Sequence, residues 1–275
     1  MRFGLVDRRP ASVRGRARGL NGRRTAPVVF MHIPKTAGSS LTNMLEPHYA
    51  PGEVFRSPEP GSLSRLGSAE LQSYSILCGH FDWSELGNLP KKSQIICLLR
   101  DPIDRIVSLY WYWRSFSWEY AAENQDYGIA YAKSVGIEEF FFDAPLGIRA
   151  NYENAVVRQL VGADFCTAQV GFKNSDEAAI NLAKSRIDQM SVCGLMEDMS
   201  GSAILISQAL GIRDLRVRFD NRGPPSCARD RLEGASLLNT GGELARRLEA
   251  LTSLDREVFQ HACDKHCERL VQLAA

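Results

Sequence analysis

Between residues 28 and 45 the chain switches from one hydrophobic pattern to another. Val28, Val29, Phe30 and Met31 form an unbroken apolar run, as expected of a strand buried on both faces in a parallel sheet. Pro34 breaks the run into a short loop carrying Lys35, Thr36, Ala37, Gly38, Ser39 and Ser40. Beyond it Leu41, Met44 and Leu45 recur at helical spacing, so a helix is predicted to open there and to stop at Pro47. A second apolar run, Gln94–Leu99, predicts another buried strand that leads into Arg100. Asp101 then stands as a helix N-cap with Pro102 at the first helical position, Ile103, Ile106, Val107 and Tyr110 supply the buried face, and Asp104, Arg105, Ser108 and Tyr112 fall on the polar side. Shorter strands are predicted at 75–79 and 192–196, and helices at 137–142, 151–161, 175–189, 200–210 (closed by Gly211) and 243–273. Residues 50–73, rich in Pro, Gly and Ser, read as a long surface excursion. Strands alternating with helices predict a three-layer α/β fold, with a central parallel sheet of about four or five strands covered on both faces.

Composition refines this picture at the amino end. The 275 residues, 44% of them hydrophobic, suffice for one domain with a full core. Residues 1–27 hold eight arginines against one acid, Asp7, and lack the apolar segment of a signal peptide. They read as a disordered basic tail before a domain at 28–275. The tail also masks the charge of the remainder: the whole chain is net +1, whereas residues 28–275 carry 25 basic and 31 acidic side chains, net −6. A nucleic-acid-binding domain would be basic in its folded part, so nucleic acid is not an expected partner.

No apolar run reaches the length of a membrane span, and the expectation is a cytoplasmic protein. The seven cysteines are scattered, with Cys78 and Cys97 inside apolar runs, and read as buried free thiols of a reducing compartment. His261, Cys263, His266 and Cys267 lie close in sequence, but on a helix Cys263 and Cys267 share a face that His261 does not. With no CxxC pair beside them, no metal is expected there.

The loop of residues 34–40 carries the chemistry. A strand, a small-residue loop and a helix N-terminus together point main-chain N–H groups and the positive end of the helix dipole at one spot. There Gly38 lets the backbone approach and Lys35 adds a full charge. Such an arrangement suits a phosphate or a group like it. The nucleotide-triphosphate signature GxxxxGK[ST] places its lysine late in the loop, whereas Lys35 comes before Gly38. Asp101 is a partial candidate for the magnesium anchor that such a protein needs.

PKTAGSS, residues 34–40, resembles the 5′-phosphosulfate-binding loop of sulfotransferases that use 3′-phosphoadenosine-5′-phosphosulfate (PAPS). LLRDPIDRIVSLY, residues 98–110, is similar to the 3′-phosphate-binding element of the same family, with Arg100 and Ser108 at the positions that hold the phosphate. Arginine offers a rigid fork of donors and serine a short hydroxyl, a chemically sensible pair for one anion. CGHFDW (residues 78–83) resembles the Gly-His segment of glycan 2-O-sulfotransferases, in which the histidine is the catalytic base. NYENAVVRQLVG (151–162) and GLMEDM (194–199) also resemble stretches of the carbohydrate branch.

The resemblance spans about 170 residues in the family's order, and it implies a P-loop-like nucleotide site at the carboxyl edge of the sheet. It also implies PAPS as donor, no metal, and transfer of a sulfuryl group to an acceptor hydroxyl on a glycan or small molecule. Catalytic roles fall to Lys35 and His80. Thr36, Ala37, Gly38, Ser39, Ser40, Arg100 and Ser108 join Lys35 at the cofactor, and Arg158, Trp83 and Asn151 are candidates for the acceptor. His32 reads as a structural or supporting histidine. Of the aromatic set Tyr110, Trp111, Tyr112, Trp113, Trp118 and Tyr120, core packing is the first reading and sugar stacking the second. Asn221-Arg222-Gly223 is a weak candidate for a loop over the nucleotide. A nucleotide-dependent phosphotransferase, a nucleotide binder without turnover, and self-association of the chain remain open.

Overall fold

The alternation of side chains along short apolar strands fixes the architecture. In the computed structural model, which describes residues 26–57, 61–168, 170–213, 215–217 and 241–275, five strands form one sheet. They are β1 (Val28–Met31), β2 (Val54–Ser57), β3 (Ile76–Gly79), β4 (Gln94–Leu99) and β5 (Val192–Leu195), in the order β2-β3-β1-β4-β5. Every neighbouring pair is parallel. The basic tail up to residue 25 and the Asn221-Arg222-Gly223 candidate lie outside the described residues.

The helices between the strands are α1 (Gly38–Leu45), α2 (Ser68–Leu71) and α3 (Pro102–Arg114), followed by four short ones, α4 (Trp118–Glu123), α5 (Tyr127–Ser134), α6 (Ile137–Asp143) and α7 (Leu146–Arg149). Then come α8 (Ala155–Val161), α9 (Asp176–Gln189) and α10 (Met199–Leu210), and after them Glu243–Leu251 and Ser253–Ala274. Among the described residues no helix is long and apolar enough to cross a membrane.

Both faces of the sheet are covered. Phe30, Cys78, Ile96, Leu98 and Val192 point to one face and pack with Leu41 and Leu45 of α1 and Ile206 and Leu210 of α10. Their neighbours in the strands, Val29, Met31, Leu77, Cys97 and Leu195, point the other way, onto Val157 and Leu160 of α8, Ala183 and Ile187 of α9 and Val258 of the last helix. Each large apolar side chain fully withdrawn from water contributes roughly 1.5–3 kcal/mol, so the strands hold few alternatives to this register. A third cluster joins Ile103, Ile106, Val107 and Tyr110 of α3 to Phe140, Phe141 and Tyr152, and fastens the short helices to the sheet domain.

Several expectations need correction. The stretch 50–73 is not a structureless excursion: it holds β2, an edge strand half-exposed and too short to show a periodic pattern, and α2. The helix expected at 151–161 begins only at Ala155, because Asn154 sits in the left-handed region at φ 45° and residues 151–154 are turns. The single helix expected at 243–273 is two, parted at Thr252, whose hydroxyl donates to the Leu248 carbonyl at 2.8 Å. The first helix opens at Gly38 and ends at Leu45, and Pro47 lies within a 3₁₀ turn that follows. Arg105, placed by helical spacing on the polar side of α3, is 1% exposed and faces Asp255 of the last helix. Gly211 does close α10, at φ 65°.

Candidate functional site

Three loops meet at the carboxyl edge of the sheet, those leaving β1, β3 and β4. Because β1 lies between β3 and β4, the chain crosses from one half of the sheet to the other at this point. The connections diverge there and leave a crevice in open parallel sheets. His32 and Lys35 follow β1, His80 follows β3, and Arg100 follows β4.

The loop after β1 is wound tightly. Lys35 and Ala37 both adopt left-handed backbone, at φ 72° and 64°, a conformation that costs a residue with a side chain roughly 1–2 kcal/mol. The Thr36 hydroxyl, fully buried, donates to the Ile33 carbonyl at 2.8 Å and ties the turn together. The hydroxyl hydrogen of Thr36 is thereby spent on structure. Ala37 is the N-cap residue of α1, and no side chain caps that end. The first turn therefore sets main-chain donors at the carboxyl edge. Ser40 is buried at 2%, whereas Ser39 is exposed. A methyl group on Gly38 would overlap the His32 ring, so glycine here is demanded by the close approach of helix and histidine.

His32 and His80 stack, their ring centroids 4.3 Å apart, and Phe30 stacks on the other side of His32 at 5.5 Å. Burial, reinforced by the proximity of His80 and Lys35, pulls the His32 pKa down to about 3. Burial lowers that of His80 as well, against the opposing pull of its bond to the His32 carbonyl. Both rings are thus neutral at pH 7. His80 Nδ1 lies 2.9 Å from the His32 carbonyl oxygen, which can only accept, so Nδ1 carries the proton and Nε2 the lone pair.

Lys35 and Arg100 bring the positive charge. The Arg100 guanidinium reaches the Lys35 carbonyl at 3.4 Å, and the Lys35 ammonium lies 3.6 Å from the centre of the Tyr112 ring. Tyr112 sits one helical turn beyond Ser108 on α3, so the Lys35 ammonium lies against the Tyr112 end of that face of the helix. Ser108 is half-buried. Asp101 is occupied otherwise: its carboxylate caps α3 by accepting from the N–H groups of Ile103 and Asp104, both at 3.0 Å. Its own N–H donates to Glu197 at 2.7 Å, joining the exits of β4 and β5.

The acceptor candidates make contacts of their own. Trp83 packs against the sheet core with the Arg186 guanidinium 4.8 Å above its ring, and the two line a pocket of about 420 Å³ that includes neither His80 nor Lys35. Asn151 donates to the Gly147 and Ile148 carbonyls and closes α7. Arg158 lies on α8, where its charge acts on Cys166. The aromatic residues divide: Tyr110 is core, whereas Tyr112 and Tyr120 are exposed and both meet Phe116, the first edge-on at 4.9 Å and the second stacked at 4.6 Å. Near the carboxyl end His261 meets Asp188 and His266 meets Asp198, at 3.0 and 2.9 Å. Among the described residues no group of three His, Cys, Asp or Glu side chains is placed to hold a metal ion.

Sequence reasoning missed Gln159, whose amide nitrogen donates to the carbonyls of His32 and Phe81 at 3.1 and 2.8 Å. The available signal was an amide inside the otherwise apolar face of AVVRQLV. Against known proteins, no family model matches this chain and no curated protein sequence is similar to it.

Proposed function

We propose that this protein transfers a sulfuryl group from PAPS to an acceptor hydroxyl, with the reaction centred on the carboxyl edge of the sheet. The observation that carries the reading is the meeting of Lys35, His80 and Arg100 at the ends of three adjacent strands, beside an uncapped helix N-terminus. The first turn of α1 would hold the 5′-phosphate, and Arg100 with Ser108 the 3′-phosphate. Lys35 would leave the Tyr112 ring to meet the oxygen that bridges phosphorus and sulfur. That cation–ring contact is worth only about 0.5–2 kcal/mol, less than a charged bond to a phosphosulfate in the same crevice.

In this reaction the acceptor oxygen attacks sulfur, the bond from sulfur to the bridging oxygen breaks, and adenosine 3′,5′-bisphosphate departs with the electron pair. The acceptor proton passes to Nε2 of His80, the nitrogen that the bond to His32 leaves as acceptor. Lys35 offsets the charge that grows on the leaving oxygen. Resemblance to the glycan branch makes a carbohydrate hydroxyl the preferred acceptor.

Calorimetry and a transfer assay test this together. Adenosine 3′,5′-bisphosphate is expected to bind more tightly than AMP or ATP, and label from radioactive PAPS is expected to pass to a glycan in the presence of EDTA. Equal affinity for AMP would remove the 3′-phosphate site. A requirement for magnesium would favour a phosphotransferase.

A further inference from the structure

We propose that Gln159 is the positioning residue that sets where His80 carries its proton, an inference that rests on the assignment of His80 as base. The His32 carbonyl has two lone pairs, and two donors reach it: Nδ1 of His80 at 2.9 Å and the Gln159 amide at 3.1 Å. The second hydrogen of that amide goes to the Phe81 carbonyl, one residue past His80, at 2.8 Å. Both contacts of Gln159 are to carbonyl oxygens, which accept only, so its nitrogen must face them. One side chain of α8 therefore clamps the exit of β1 to the exit of β3, on the two sides of the catalytic histidine.

The clamp matters because a histidine is useful as a base only in the tautomer that presents its lone pair to the acceptor. Free imidazole exchanges its proton between the two nitrogens. Here the choice is made by the His32 carbonyl, and the aim of that carbonyl is held by Gln159. The stacked His32 ring stays neutral and offers no competing charge. Removing the amide frees a turn whose backbone is strained at Lys35 and Ala37, and that turn would relax away from His80. Supporting residues of this kind typically govern one to two orders of magnitude in activity in metal sites, where a carbonyl or carboxylate orients a histidine.

Gln159→Leu and Gln159→Glu test the proposal from opposite sides. The first deletes the donors at nearly constant volume. The second keeps the shape and sets carboxylate oxygens against two carbonyl oxygens. Nitrogen NMR of labelled His80 reports its tautomer in the unliganded protein, with no need of an acceptor. The expected result is one tautomer, Nδ1–H, in the unaltered protein and a mixture in both variants. The kcat of sulfuryl transfer should fall about 10- to 100-fold.

If the tautomer mixes in the variants but no acceptor is ever sulfated by the unaltered protein, the clamp stands and the proposed reaction falls. A single Nδ1–H tautomer retained in both variants, with kcat unchanged, overturns the clamp. Should Gln159→Leu fail to fold, Gln159→Glu decides alone by the same readout. A protonated carboxyl donates one hydrogen bond, so its tautomer mixture should narrow on acidification, a pH response that a purely structural defect would lack.

Discussion

Helix α8 connects two polar clusters, one buried and one partly exposed, that differ in what they leave unfinished. At its amino end the Asp255 carboxylate, fully buried, accepts from the N–H groups of Val157 and Val156 at 2.9 and 3.3 Å and faces Arg105 at 3.8 Å. The Asn154 side chain returns the favour, accepting from Leu254 and Asp255 at 3.0 and 3.4 Å, while Arg105 donates to the Tyr152 carbonyl at 3.1 Å. About one turn on, Gln159 donates to the His32 and Phe81 carbonyls beside His80, whose bond to His32 engages only Nδ1. The first cluster turns its carboxylate on its own chain and leaves the Arg105 Nε buried without a partner; the second keeps one nitrogen at the sheet edge for something else. Burial and charge alone do not mark a site: the more buried and more highly charged of the two clusters is the structural one.

The largest effect expected is at the unfinished cluster. His80→Ala should lower kcat roughly 10²–10⁴-fold while leaving the affinity for adenosine 3′,5′-bisphosphate intact, measured by initial rates and calorimetry. Near-normal turnover would move the base elsewhere. The matching break at the finished cluster is Asp255→Ala, which strands Arg105 in the interior and uncaps α8. It should cost about 3–5 kcal/mol by urea unfolding, and a loss under 1 kcal/mol would mean that the pair is not buried in solution.

Acid separates the clusters by sign. His32 has its pKa lowered to about 3 by burial, so between its ordinary 6.5 and that value the unfolded chain takes up a proton that the folded one refuses. Folding stability therefore falls as pH drops through this window, by on the order of 5 kcal/mol in all. Asp255 is raised to about 6 by burial, so from pH 6 down to 3.8 its contribution runs the other way, the folded form binding the proton more readily. Unfolding free energies at pH 7, 5 and 4 for the unaltered chain and for His32→Phe isolate the first effect. The difference between the two proteins should shrink in favour of the variant as the pH falls, and a constant difference would refute the buried neutral histidine.

A smaller change is expected for Arg100→Ala, which should weaken adenosine 3′,5′-bisphosphate by about 1.5–3 kcal/mol and AMP hardly at all. Asn151→Ala should be smallest. Its amide closes α7, so loss of stability should stay within about 1 kcal/mol and the KM for acceptor should not move. A clear rise in that KM would restore Asn151 to the acceptor site.

What the sequence made legible was local. Apolar runs at β1 and β4, the cap at Asp101 and the close of α10 at Gly211 each follow from a few adjacent residues, and each was placed to within a residue or so. β2 escaped because a half-exposed edge strand of four residues has no pattern to show. Arg105 was misplaced because helical spacing puts it among polar neighbours, and only Asp255, far along the chain, gives its charge a reason to be inside. The same limit applies to the site. Lys35, His80 and Arg100 were nameable from the segments that carry them, whereas Gln159 acquires a role only when three separate segments are brought within 3.1 Å of it.

The reciprocal cap between Asn154 and Asp255 also imposes an order of events on the newborn chain. Val157 lies 98 residues ahead of the carboxylate that caps it, so α8 gains its cap only after the final helix has been synthesised and has come to rest. Strands β1, β3 and β4, together with the turn bearing Lys35, are made long before. On a ribosome the turn bearing Lys35 can therefore take shape early, while α8 and the Gln159 amide that it carries wait for the last segment.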